Sequence, residues 1–247
     1  RELGRQTGLL AVPSVKLHLP EIDEPFTDTE YAHTIGSLAG AWGDEPLLVE
    51  KDFSPTLAGD PLASEQRRIL RWIEEVPRRI REAAPRGARV ALKLMNARFD
   101  DQFQRRMVEA AGRSADAVTA FNRLWDADRG VAYGGWELSE RNLRVLEGIA
   151  ALPPLSGTGN ICSGKAIVAY ACHGATSVQL HTVFQLPLSL YTATEGSRTA
   201  RTLHLLVFDP QEGLVATMLG LEERGRLARQ RGELRFRDLA AQRPLCT

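Results

Sequence analysis

Apolar residues fall into two alternating patterns along this chain. In the first they recur at spacings of three and four. Ile69, Trp72, Ile73, Val76 and Ile80 line one side of a predicted helix that opens near Ser64 and Glu65. Pro77 lies inside that stripe and is expected to kink or interrupt it, because it lacks an N–H and crowds the preceding turn. Phe103, Met107, Val108 and Ala111 mark a second helix. Ser139 is placed to cap a third, carrying Leu143, Leu146 and Ile149, and Ser163 a fourth that ends at His173-Gly174. Thr27-Asp28-Thr29-Glu30 has the acids of a first turn and opens a helix to Trp42. Gly213 to Arg231 reads as a last helix with a basic C-terminal half.

In the second pattern the apolar residues form short unbroken runs. These are Leu47–Val49, Val90–Leu94, Ala117–Phe121, Leu155–Gly159 and Ser177–Leu180, with Val15–Leu19 as a candidate sixth. Uninterrupted runs of this length suit strands buried on both faces, and their alternation with helices predicts a parallel sheet of βαβ units. A closed barrel of such units needs eight strands. The expectation is therefore an α/β chain, a (β/α)8 TIM barrel with no recognisable first two βα units. It is read as one domain over 1–247, clearest over 45–185.

Charge and composition narrow the partners. Lys plus Arg and Asp plus Glu each total 31, so the formal net charge is zero. That excludes the broad basic field of a general nucleic-acid binder. No apolar run approaches the ~18 residues of a membrane span. The opening Arg-Glu-Leu-Gly-Arg has no apolar stretch of a secretory signal behind it, so a cytoplasmic protein is expected. Three cysteines, Cys162, Cys172 and Cys246, are an odd number without a CxxC pair. On that ground neither a disulfide framework nor a structural zinc site is expected. The five histidines form no HxH or HExxH pair that would offer a metal site.

The segment from Leu155 to Thr182 carries the clearest chemistry. Turns at Gly159-Asn160 and His181-Thr182 would present backbone N–H groups at the C-terminal ends of neighbouring strands, and the helix after Ser163 adds partial positive charge. That is a phosphate site in outline. An ordinary βαβ crossover, with glycines for turn geometry, is the plainer alternative.

The same segment resembles the dihydroorotate dehydrogenase family of FMN-dependent barrels. Gly157-Thr158-Gly159-Asn160-Ile161, Ser163-Gly164, Gly174-Ala175-Thr176-Ser177-Val178-Gln179 and His181-Thr182 follow the family's final motifs in order and spacing, with Asn160 and His181 replacing two glycines. Asn and His tolerate unusual dihedrals better than most residues. Val90–Leu94 is similar to the family strand whose lysine approaches the flavin ring, here Lys93. The resemblance implies that Lys93 is catalytic and cofactor-binding. It also implies that Asn122, Gly134, Gly135, Gly159, Asn160, His181 and Thr182 contact FMN. Without it, Lys93 reads equally as a snorkelling strand-end residue, Asn122 as a strand terminator and Gly134-Gly135 as a flexible loop.

The substrate loop departs from the family pattern. Glu50-Lys51-Asp52-Phe53-Ser54-Pro55-Thr56 keeps a serine before proline, where the family's base stands, but lacks its flanking asparagines. The resemblance makes Ser54 the candidate base and Asp52, Thr56 and Asn122 candidate substrate contacts. The alternation Glu50, Asp52, Ser54 points to Asp52 rather than Lys51 on the inner face, and a carboxylate there disfavours dihydroorotate. The implied function is an FMN-dependent oxidoreductase that passes a hydride between flavin and a small carbonyl-conjugated C–C bond. The alternative is a catalytically degenerate barrel acting as a binding or scaffold subunit. A small-molecule substrate is expected, and a homo-oligomer or partner subunit is compatible with the sequence.

Overall fold

The structure, a computed structural model, describes residue 8 and residues 10–44, 47–53, 63–97, 100–126, 128–134 and 136–241. Ser54, Thr56 and Gly135 lie outside the described residues. The chain is α/β with mostly parallel strand pairing. It divides into two compact units, Arg1–Thr119 with Leu124–Ala132, and Ala120–Arg123 with Tyr133–Thr247.

In the first unit, β1 (Ser14–Val15), β2 (Leu48–Asp52), β3 (Arg89–Lys93) and β4 (Ala117–Ala120) are neighbours in that order. They are parallel, with Leu48 opposite Arg89 and Ala91 opposite Ala117. Between them run α1 (Asp28–Trp42), α2 (Ala63–Ala83) and α3 (Asp101–Ser114). Helix α2 packs on β3 and against α1 and α3. Its predicted stripe, Ile69, Trp72, Ile73, Val76 and Ile80, is at most 1% exposed. Pro77 sits inside α2 without ending it. Five buried side chains contribute ~1.5–3 kcal/mol each, which outweighs the ~3 kcal/mol that an interior proline costs. The acidic loop before α1 docks on the arginines of α2. Arg71 donates to the carbonyls of Glu21, Ile22 and Glu24, and the guanidiniums of Arg71 and Arg79 lie 5.1 and 4.3 Å from the Phe26 ring centre. A two-stranded ribbon, β5 (Leu124–Asp126) and β6 (Val131–Tyr133), follows β4 and has no counterpart in the sequence reading.

The second unit holds α4 (Trp136–Glu147), β7 (Leu155–Gly157), α5 (Gly164–Cys172) and β8 (Ser177–Val178), with β7 and β8 parallel. Short 3₁₀ turns at Thr182–Gln185 and Leu188–Leu190 lead to α6 (Arg198–Leu203), a π-turn over His204–Phe208, α7 (Leu214–Glu223) and α8 (Phe236–Ala241). Val168, Ala171 and Cys172 of α5 form a core with Met218, Leu227 and Leu239.

Four expectations are corrected here. Ser139 does not cap α4, which begins three residues earlier; it lies inside the first turn. The last predicted helix ends at Glu223, because Gly225 takes a left-handed φ of 67°, so Arg226, Arg229 and Arg231 lie beyond it. The strands after residue 150 are shorter than the apolar runs that announced them. Cys172 is disulfide-bonded, whereas Cys162 is free. Among the described residues no helix is long and apolar enough to cross a membrane.

Candidate functional site

Strand alternation gives the sheet of the first unit one polar and one apolar face. Parallel register places Glu50 beside Ala91, and Asp52 beside Lys93, which in turn lies beside Thr119. Paired residues project to the same side, so Glu50, Asp52, Lys93 and Thr119 share a face. Asp52, and not Lys51, is the neighbour of Lys93. The small Ala91 between the outer strands lets the Thr119 hydroxyl reach the Glu50 carboxylate at 3.1 Å, and both groups are buried. Lys93 is half-buried, and among the described residues no hydrogen bond or ion pair holds its ammonium. Just beyond it, the buried Gln104 of α3 takes the Ala97 N–H at 3.0 Å and donates to the Met95 carbonyl at 2.9 Å, fixing the chain that leaves β3.

Lys51 projects to the opposite, apolar face with Val49 and Phe53. It is 2% exposed. Its ammonium donates to the Asp52 carbonyl at 2.7 Å and lies 5.2 Å from the Phe53 ring centre. Burial pushes its pKa down from 10.5 to about 8.

In the second unit, the loops after β7 and β8 leave the same end of two parallel strands. Gln179 N–H donates to the Gly157 carbonyl at 2.8 Å, and the Thr158 hydroxyl to the Gln179 carbonyl at 3.4 Å. Gly159 and Asn160 follow β7; His181 and Thr182 follow β8. Ala120 and Phe121, which belong to this same unit, join them, since Thr158 N–H donates to the Ala120 carbonyl at 2.9 Å and Phe121 N–H to the Thr158 carbonyl. Asn122 is the next residue, and its side-chain oxygen accepts from Arg123 N–H at 2.9 Å. A Cβ on Gly134 would meet the Arg123 side chain at 3.2 Å.

The loop after β7 is held from behind by its carbonyls. Ser139 Oγ donates to the Gly159 carbonyl at 2.7 Å. Asn142 Nδ2 donates to the Thr158 carbonyl at 3.1 Å and to the Tyr170 hydroxyl at 3.0 Å, and that hydroxyl donates to the Thr158 carbonyl at 2.9 Å. Burial pushes the Tyr170 phenol up to about 12, so it remains a donor at ordinary pH. Gly159 at φ 116° and Asn160 at φ 51° complete the turn. Asn160 thus occupies the left-handed region, which Asn tolerates better than most residues. With the carbonyls engaged on one side, the N–H groups are left over. None of the six from Gly159 to Gly164 finds an acceptor among the described residues, although Ile161 and Gly164 are buried. Successive N–H groups around a turn with a left-handed residue are the kind of backbone feature from which anion-binding concavities are built.

The N-terminus of α5 contributes less than expected. Ser163 Oγ accepts from Ala166 N–H and the Glu212 carbonyl accepts from Lys165 N–H, so of the first three donors only Gly164 remains. Gly164 is glycine for packing, since a Cβ there would lie 1.9 Å from Leu214 N. Cys162 donates weakly to Asn160 Oδ1 at 3.7 Å, and burial pushes its thiol up, away from the thiolate.

The structure therefore brings Asn122, Gly134, Gly159, Asn160, His181 and Thr182 into one unit and places Lys93 and Asp52 side by side in the other. Sequence reasoning missed Ser139, Asn142, Tyr170 and Gln104. One signal was available: Asn142 and Gln104 are polar residues at helical spacing from Leu138, Leu146 and Val108. Truncating Tyr170 to Phe removes one of the ties on the Thr158 carbonyl. We expect a loss of ~1–2 kcal/mol in urea unfolding. Unchanged stability would show that the hydroxyl ties nothing.

No protein-family model matches the chain, and no curated protein matches it as a relative.

Proposed function

We propose that the chain is an FMN-dependent oxidoreductase of the dihydroorotate dehydrogenase type, built on a (β/α)8 barrel, acting on a small carbonyl-conjugated C–C bond. The observation that carries the reading is the run of N–H groups from Gly159 to Gly164 that find no acceptor among the described residues. A flavin phosphate is a group that such a run fits, and Asn142 Oδ1, buried without a donor among the described residues, suits a hydroxyl of the flavin's sugar-like chain. FMN, when bound, supplies the hydride chemistry.

The chain's own residues do the rest. Gly159, Asn160, His181 and Thr182 bind and orient the phosphate end. Lys93, half-buried and without an ion-pair partner among the described residues, would stabilise negative charge as it develops on the ring. Asp52, beside Lys93, selects the substrate, and its carboxylate repels the carboxylate of dihydroorotate. Ser54 takes the substrate proton. The scaffold reading has one observation in its favour, the Glu212 carbonyl that occupies the Lys165 N–H at the start of α5.

Titration of the purified chain with FMN tests the proposal. We expect retention of a yellow species absorbing near ~450 nm, with affinity lowered by free phosphate. Lys93→Ala should still bind flavin but reduce it ~100-fold or more slowly. Dihydroorotate should be turned over far below the ~10 per second of an ordinary enzyme. No flavin retained at millimolar FMN would leave the scaffold reading standing.

A further inference from the structure

Between residues 17 and 50 the chain carries no lysine or arginine, and the part that enters α1 is rich in acids: Glu21, Asp23, Glu24 and Asp28. The side chains that hold this part stand on α2. Arg68 pairs with Glu21 and Arg79 with Asp28. Arg71 takes its three carbonyls in between, and the Trp72 indole N–H donates to the Pro20 carbonyl at 2.8 Å. These contacts follow one another from Arg68 to Arg79, along roughly 16 Å of helix at 1.5 Å per residue. The segment is a strap laid lengthwise on α2. It is also long for its place. Residues 16–27 separate β1 from α1, where ~2–6 residues commonly suffice.

Several features make the strap separable from the helix. Among the described residues, the one backbone–backbone hydrogen bond made by residues 20–26 is internal, from Glu24 N–H to the Glu21 carbonyl. Every tie to α2 passes through a side chain. Both paired carboxylates reach water, with Glu21 70% and Asp28 75% exposed, so salt can screen them. The range of such forces falls from ~30 Å at 0.01 M salt to ~3 Å at 1 M. Helix α2 has substitutes ready. Arg68 also pairs with Glu65, and Arg79 lies 3.6 Å from Glu75, both on the same helix. Closure carries a cost as well. The Nε groups of Arg68 and Arg79 are buried with no acceptor among the described residues, and an open strap would admit water to both. Holding it shut, besides the guanidiniums and the Trp72 indole, are the Phe26 ring, 8% exposed, and the buried Pro20. Segments with so few apolar anchors open before the whole fold does.

We propose that residues 20–27 form an ionic strap that lifts off α2 as a unit when salt screens its arginines, while the sheet beneath stays folded. Opening uncovers Trp72, which is 1% exposed with the strap closed. It also frees the chain that leaves β1, a strand of two residues paired only with β2 among the described residues. Ionic strength thereby sets how firmly the first strand is held. The proposal does not rest on the flavin reading.

Hydrogen exchange of the Trp72 indole N–H in the full chain tests it, since that proton reports the bond to Pro20. Its NMR signal is assigned by its loss in Trp72→Phe. Exchange at constant pH is expected to speed up at least tenfold between about 20 mM and about 1 M NaCl. The amides of Val90 and Leu92 in β3 should keep their rates. Cleavage by a glutamyl endopeptidase after Glu21 and Glu24 should rise in parallel, measured against the free peptide of residues 16–30 to correct for the effect of salt on the protease. Glu21→Gln combined with Asp28→Asn alters only exposed carboxylates and should open the strap already at low salt. Arg71→Met should do the same. Arg78→Met should leave it closed, because that guanidinium binds Glu75 and Glu82 of its own helix. Equal Trp72 exchange at both salt concentrations would overturn the proposal. So would Val90 and Leu92 amides that speed up together with the indole, or a double variant as protected at low salt as the wild type.

Discussion

Replacing Lys51 with Met is expected to stabilise the first unit by about 2–3 kcal/mol at pH 7. Lys51 is a fully buried ammonium with one carbonyl partner and an aromatic ring, and its folded pKa of about 8 lies below its ordinary value of 10.5. A drop of this size corresponds to about 3 kcal/mol of unfavourable burial. The sign follows from proton binding. Below pH 8 both folded and unfolded chains carry the proton, and the full penalty is present. Between pH 8 and 10.5 the folded chain gives up its proton while the unfolded chain keeps it, so stability rises with pH. Met removes both the penalty and the rise. Urea unfolding of the two proteins at pH 7 and pH 9.5 measures this, and the gap between them should shrink at the higher pH. Tyr31 and Tyr170, whose buried phenols are pushed upward, oppose the rise only above about pH 10, where the unfolded chain begins to ionise them. A gap that stays constant with pH would show that Lys51 is not the titrating group.

Gly164→Ala should destabilise the second unit by about 3 kcal/mol or more. The new Cβ would fall 1.9 Å from Leu214 N and 2.3 Å from Gly213 C, both backbone atoms that cannot rotate away. Overpacking of this kind forces the backbone itself to move. The start of α5 and the segment before α7 would have to separate, breaking the bond from Lys165 N–H to the Glu212 carbonyl. Gly36→Ala is the contrasting substitution. A Cβ there meets nothing within 4 Å, and the residue lies inside α1, so it should stabilise by about 0.5–1 kcal/mol. Thermal unfolding of the two variants should move in opposite directions. A Gly164→Ala protein as stable as the wild type would mean that the close approach relaxes freely.

Legibility in the sequence follows the range of the interactions. The stripe from Ile69 to Ile80 is set by helix periodicity, and it is buried as spaced. The alternation Glu50, Asp52 is a local property of a strand, and the same face holds Lys93. The loops after β7 and β8 leave a common end because parallel neighbours must. What was hidden depends on distant partners. Ser139 looked like a cap because serine often is one, yet its hydroxyl is spent on a carbonyl twenty residues away. Gly164 looked like part of a phosphate motif, but its close neighbour is Leu214. An odd cysteine count says only that one thiol is left over, and here Cys162 is free while Cys172 is bonded. The stretch from Phe184 to Phe208 has no single period to read, since 3₁₀, α and π turns succeed one another.

The carbonyls of Thr158 and Gly159 are gripped by side chains from α4 and α5, and no outward-facing side chain of the loop takes part. Shape and identity are therefore separable in this loop. Its curvature belongs to the helices behind it, while the side chain at position 160 is free to change among residues that accept a left-handed φ. A library varied at Asn160 and Cys162 alone would sample different recognition chemistries on one unchanging frame of N–H donors. Variation at Asn142 or Tyr170 would alter the frame and leave the chemistry in front of it as it is.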